Sequence, residues 1–163
     1  LIRVAAFARI PLGLKHPSDK NTRRFNKLEQ GWIAGTTMNV INDDWPKELR
    51  LQDGGRRLKV EFESGRIFEL AAEYLRVMSP SAEVRGHSAQ DRKTVGGKRD
   101  ITITGVEPVG TYAVRLVFAD THSTGLYSWA YLYELGADFA KKWESYLAEL
   151  EQKGLSRDRP GEA

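Results

Sequence analysis

Residues 57–63 read Arg-Leu-Lys-Val-Glu-Phe-Glu, a strict alternation of polar and apolar side chains. Successive side chains of a strand point to opposite faces, so a period of two held this long specifies a strand with one buried face. Turn formers bracket it. Leu49 and Leu51 lead into Asp53-Gly54-Gly55, residues that tolerate positive φ and signal a hairpin, and Ser64-Gly65 supplies a second tight turn before residues 67–70. Three consecutive antiparallel strands follow from this spacing, and their apolar face requires a cover.

The rest of the chain offers one. Residues 71–78 read as a short helix with Leu75 and Met78 on one side, stopped by Ser79-Pro80. Residues 100–106 and 111–119 are β-rich and flank Glu107-Pro108-Val109-Gly110, which predicts a second hairpin with Tyr112, Val114, Leu116 and Phe118 sharing a face. Residues 86–99 are polar and glycine-containing, the composition of a surface loop. In residues 128–152, Trp129, Leu132, Tyr133, Phe139, Trp143, Tyr146, Leu147 and Leu150 recur at helical spacing, and Gly136 is expected to cap or kink this helix into two pieces. The stripe is mostly core, although four Trp and six Tyr leave room for an exposed binding patch. The expected fold class is α+β: a two-layer sandwich, an antiparallel sheet packed against a C-terminal helix. A sheet edge or this helix could also join copies into a homo-oligomer.

The domain is expected over residues 44–152, with a flexible basic arm at 1–43 and a disordered tail at 153–163. The arm lacks periodicity and carries Pro11, Gly13, Pro17, Gly31 and Gly35, with room for a short helix at residues 23–29. Its seven Lys and Arg against three acidic residues give +4, leaving 18 basic and 19 acidic residues, or −1, for the rest. The net charge of +3 therefore belongs to the arm, and the domain lacks the basic stripe that tracks a phosphate backbone. Nucleic acid is not an expected partner. The absence of cysteine removes disulfides, thiolate zinc sites, iron–sulfur ligation and cysteine nucleophiles together, and suits a cytoplasmic location. No apolar run approaches the roughly 20 residues that span a bilayer, so no membrane partner is expected.

Two stretches carry a family resemblance. Residues 73–87 read Glu-Tyr-Leu-Arg-Val-Met-Ser-Pro-Ser-Ala-Glu-Val-Arg-Gly-His, and residues 120–132 read Asp-Thr-His-Ser-Thr-Gly-Leu-Tyr-Ser-Trp-Ala-Tyr-Leu. Together they resemble the gamma-butyrobetaine hydroxylase-like N-terminal domain family, over roughly residues 45–136. The resemblance implies the same two-layer architecture. It implies a stand-alone bacterial member of a family that also occurs at the front of a carnitine-synthesis enzyme and fused to P-loop iron–sulfur scaffold proteins. The iron and 2-oxoglutarate chemistry of that enzyme belongs to a separate catalytic domain and is not implied. The resemblance begins only after Met38, and the chain opens on Leu1. Three accounts of the arm compete: a basic targeting segment, a partner-binding tail, or sequence upstream of the native start. The third is favoured.

In the zinc-bearing version of this fold a Leu-Arg pair is followed by a Cys-Pro-Cys segment and a third Cys, and a His before the last helix completes the set. The matching positions here are Ser79, Ser81, Val84 and His122. Serine hydroxyls are poor zinc ligands beside thiolates, and valine cannot ligate, so the structural zinc is expected to be absent and no cofactor is expected. His122 is then expected to hydrogen-bond the Ser79 and Ser81 hydroxyls or a backbone carbonyl.

Other chemistry is sparse. His87, Asp120 and His122 form a candidate two-histidine, one-carboxylate metal set. Gly96, Gly97, Lys98 and Arg99 could cradle an anion with amides and two cations. Ser123 or Ser128 with His122 and Asp120 contains the residue types of a hydrolytic triad, at a spacing that rarely yields its geometry. Arg76, Glu83 and Arg85 could form ion pairs after the short helix. There is no nucleophile elbow, P-loop or dinucleotide fingerprint. The expected function is a non-enzymatic protein-binding or adaptor module, and the fusion pattern that the resemblance implies points to iron–sulfur or cofactor assembly, with an assembly factor as the partner. The alternative is a small metal- or anion-dependent enzyme, or a metal-binding protein, using His87, Asp120 and His122.

Overall fold

Leu58, Val60 and Phe62 are buried while Arg57, Lys59 and Glu61 between them keep contact with solvent, as the alternation requires. The computed structural model describes residues 3–5 (as backbone), 44–81 and 93–158, and sets this strand inside a four-stranded antiparallel sheet. In order the strands are β1 (Arg3–Ala5), β2 (Pro46–Gln52), β3 (Arg57–Phe62) and β4 (Ile67–Ala71). Leu49 faces Val60 and Leu51 faces Leu58 across β2 and β3, and Leu70 faces Leu58 across β3 and β4, so apolar pairs meet on one face. The β2–β3 turn holds Asp53, Gly54 and Gly55 at φ of 50°, 64° and 90°. Gly55 also passes so near Ile103 that a Cβ would overlap the carbonyl oxygen, so glycine is required there twice over.

A second antiparallel sheet contains β5 (Ile103–Val109), β6 (Ala113–Phe118) and β7 (Leu126–Ser128), in that order. Between the sheets in sequence lies α1 (Ala72–Val77), with all six residues buried, and after β7 come α2 (Trp129–Ala137) and α3 (Phe139–Gln152). One apolar cluster draws Leu49, Val60 and Leu70 from the first sheet, Val114, Leu116 and Phe118 from the second, Tyr74 and Leu75 from α1, and Leu132 and Leu135 from α2. The fold is therefore the expected α+β sandwich, its antiparallel strands divided between two small sheets. The described residues belong to one compact unit.

Several local expectations need correction. The second hairpin turns at residues 110–112, because β5 continues through Pro108, which an edge strand tolerates. Tyr112 therefore lies in the turn, 57% exposed, and does not share the buried face of Val114, Leu116 and Phe118. The C-terminal helix is in two pieces, but the break is at Asp138 (φ −100°, ψ 18°); Gly136 lies inside α2, where a Cβ would overlap the Phe68 ring. Residues 94–98 are buried or half-buried rather than a surface loop.

The two termini also differ from expectation. Within the stretch read as an arm, Arg3–Ala5 pairs with β2 as an edge strand. Within the stretch read as a disordered tail, residues 153–158 are built into the fold. Gly154 (φ 62°) ends α3, with its own N–H on the Glu151 carbonyl and the Leu155 N–H on the Leu150 carbonyl. The helix expected at residues 23–29, the rest of the arm and residues 159–163 lie outside the described residues.

Candidate functional site

α1 closes with the Met78 N–H on the Tyr74 carbonyl, and Pro80 prevents the helix from continuing, so Ser79 departs toward the turn after β6. That turn is held by Thr121 N–H to the Phe118 carbonyl and Phe118 N–H to the His122 carbonyl, with Thr121 at φ 67°. Ser79 Oγ and His122 Nε2 lie 2.8 Å apart. Both residues are buried, at 1% and 7% exposure. Gly125 makes the approach feasible, since a Cβ there would overlap Ser79 Oγ. Of the hydrogen bonds expected for His122, the one to Ser79 is made. Ser81 Oγ is buried with no hydrogen-bond partner among the described residues.

Asp120 is occupied by cations. Its Oδ2 accepts from Arg76 Nε at 2.9 Å and from Lys98 Nζ at 2.6 Å, and its Oδ1 accepts the His122 N–H at 3.3 Å. Burial pushes the carboxyl pKa up, but the Lys98 hydrogen bond, the Arg76 and Lys98 charges and the His122 amide hold it below the usual 3.8. Tyrosines fasten the neighbouring elements. The Tyr127 hydroxyl donates to the Leu75 carbonyl and the Tyr131 hydroxyl to the Met78 carbonyl, each at 2.7 Å, tying the end of α1 to β7 and α2. Burial pushes the Tyr127 phenol far up, which keeps it a protonated donor.

This donor set does not fit zinc. Ser79 and Ser81 present hydroxyls, His122 Nε2 faces one of them, and the cations on Asp120 would repel a third. Among the described residues no three His, Asp or Glu side chains are placed to share an ion. Val84, Glu83, Arg85 and His87 lie outside the described residues. Of the candidate metal set only Asp120 and His122 are therefore seen together, joined through a backbone N–H.

The remaining candidates are accounted for within the chain. The Gly97 and Arg99 amides donate to the Ser156 and Arg157 carbonyls, Lys98 bonds Asp120, and the Arg99 guanidinium pairs with Asp158 at 2.9 Å. The Gly97 and Arg99 amides and both cations of the candidate anion cradle thus already have partners. Ser128 accepts the Tyr131 N–H as the N-cap of α2. Ser79, rather than Ser123 or Ser128, is the serine that meets His122. Sequence reading missed Arg76 and Lys98 as partners of Asp120, and Gly125 as the residue that admits Ser79. Arg76 and Gly125 fall inside the two quoted stretches, but their pairings span 44 and 46 positions, which local spacing does not encode.

Comparison with known proteins bears on the family. A family model described as gamma-butyrobetaine hydroxylase-like, N-terminal, matches residues 49–133. A structure solved by NMR in solution is 42% identical, covering 74% of this chain and 94% of that one, with a TM-score of 0.63. Another NMR structure is 41% identical, covering 79% and 98%, also with a TM-score of 0.63. A crystal structure of a DUF971-family protein of unknown function from Acidithiobacillus ferrooxidans is 37% identical over 56% of this chain and 92% of that one, with a TM-score of 0.48. No curated protein matches the chain. Among the described residues no helix is long and apolar enough to cross a membrane.

Proposed function

Because this chain belongs to the gamma-butyrobetaine hydroxylase-like N-terminal family, and its own side chains close the corner where the resemblance implies a zinc site, we propose that it is a zinc-free, non-enzymatic protein-binding module. One observation carries the reading. The Ser79–His122 contact at 2.8 Å turns toward each other, in a buried place, the groups that would otherwise face a metal or a substrate. An acid, base or nucleophile must reach its substrate, and these do not. A groove of about 430 Å³ lined by Leu51, Asp53, Gly55, Thr102, Ile103 and Thr104 brings no acid–base pair together.

The outer surface supports binding. Phe139 and Leu147 on α3 are each 39% exposed, with half-buried Trp143 between them at four-residue spacing. The proposed setting is the bacterial cytoplasm, and the proposed partner is an iron–sulfur or cofactor assembly factor, on the fusion pattern that the resemblance implies. Having no thiolate to offer a cluster, the chain would act there as an adaptor. Affinity capture from native extract, quantified by mass spectrometry, is expected to recover an assembly factor in stoichiometric yield, with Leu147→Asp reducing recovery at least tenfold. Recovery at background, or turnover of a small substrate by the purified protein, would refute the proposal.

A further inference from the structure

The residues beyond α3 are held by contacts that resemble ligand recognition more than core packing. After Gly154 the chain lies along residues 97–99: the Gly97 N–H donates to the Ser156 carbonyl at 2.8 Å and the Arg99 N–H to the Arg157 carbonyl at 3.0 Å. A side chain on Gly96 would press on the same Ser156 carbonyl. Arg157 then grips Glu73 of α1 with two bonds, Nε to Oε1 at 2.8 Å and Nη2 to Oε2 at 2.6 Å, and its guanidinium lies over the Trp143 ring, 5.0 Å from the centroid. Main-chain pairing combined with one anchored side chain is how extended peptides are bound at sheet-like edges.

Very little apolar burial holds this segment. Leu155 is 43% exposed and Ser156 is exposed, so lifting the segment uncovers little hydrophobic surface, the condition for a local opening separate from global unfolding. What it leaves behind is selective. With Arg157 on it Glu73 is only 5% exposed, and lifting the segment takes from that carboxylate its two-point cation partner. The vacated surface therefore offers a carboxylate, an aromatic face and two main-chain donors in line, a combination suited to arginine on an extended backbone.

We propose that residues 155–158 are a strap that occupies, within the chain, a docking site for an extended, arginine-bearing segment of a partner protein, whose arginine takes the place of Arg157 on Glu73 and Trp143. This deepens the protein-binding reading by naming a site. A partner that docks elsewhere would leave that reading standing while this one fails.

The test uses the full chain and, as probe, the end-capped peptide Leu-Ser-Arg-Asp. In the wild-type protein, the Gly97 and Arg99 amides are expected to exchange with solvent at least tenfold faster than those of Val60 and Leu116. Arg157→Ala is expected to bind the peptide saturably, shifting the Gly97 and Arg99 amide resonances. Replacing the peptide's arginine by lysine should weaken binding at least tenfold, because lysine cannot make the two-point contact. Absence of saturable binding to a folded Arg157→Ala protein overturns the proposal. If that variant does not fold, the wild-type exchange decides, and Gly97 and Arg99 exchanging only at the global unfolding rate overturns it. A concentration-dependent dimer that exchanges the segment between copies also overturns it, giving the site to a second copy of this chain.

Discussion

Ser79 and His122 each satisfy a buried polar atom of the other, which makes their contributions inseparable. Removing either takes a buried hydrogen bond from the other, at a cost of about 1–3 kcal/mol, and that shared loss is counted only once when both are removed. His122→Ala and Ser79→Ala are therefore each expected to lower stability in urea by that amount, and the double variant by about 1 kcal/mol less than their sum. Additive losses would show that the contact contributes nothing. Tyr146 gives a second test through pH. Burial foremost, then the nearby Glu73 charge, pushes its phenol up to about 12, while its hydroxyl donates to the Val95 carbonyl. A folded-state pKa above the unfolded value of 10.0 means the stabilisation is whole below pH 10 and is lost as pH rises toward 12. The stability advantage of wild type over Tyr146→Phe should shrink across that window, as read by urea titrations at successive pH values. An advantage that stays constant would show that the phenol ionises as easily folded as unfolded. At this scale the sequence reveals residue types and positions but not partners. Asp120 was visible as a candidate ligand, while the guanidinium and amine that neutralise it lie 44 and 22 positions away.

Elements whose signals are local were legible. Alternation and positive-φ turn formers place β2, β3 and β4, since pleat and turn are decided by adjacent residues. Elements fixed by distant partners were not. β1 exists as a strand through its pairing with β2, and residues 155–158 are held by Gly97, Arg99 and Glu73. Gly136 shows the difference at one position. Glycine in a helical pattern reads as a cap or kink, and alanine in its place would favour the helix by about 1 kcal/mol. In the folded protein, however, the missing Cβ is the space filled by the Phe68 ring, which packs edge-on against Phe62 and Tyr133. Gly136→Ala is expected to destabilise by about 1–3 kcal/mol despite its better propensity, because overpacking a filled core outweighs the helix gain. Thermal unfolding decides it; an unchanged or raised midpoint would show that Phe68 yields without cost.

Across the whole molecule, α1 is braced from several directions. The Tyr74 hydroxyl reaches the Leu135 carbonyl, Tyr127 and Tyr131 reach back to Leu75 and Met78, and ion pairs run from Arg76 to Asp120 and from Glu73 to Arg157. These ties fasten α1 to β7, to α2 and to the turn after β6, and both sheets feed one apolar core. The absence of thiols was plain in the sequence; the contacts that brace α1 were not, because every one joins residues more than 40 positions apart. A bound ion would announce itself thermodynamically. At 100 times its dissociation constant an ion adds about 2.7 kcal/mol. For a domain of this size that raises the unfolding midpoint by about 10 °C or more. On the zinc-free proposal, a fold held by tyrosine hydroxyls and ion pairs gains none of this. Its midpoint is expected to move by less than about 1 °C when excess chelator is added, and likewise on adding zinc to the chelated protein. A chelator-induced drop of about 10 °C, reversed by zinc, would mean that an ion and not the Ser79–His122 contact closes the corner.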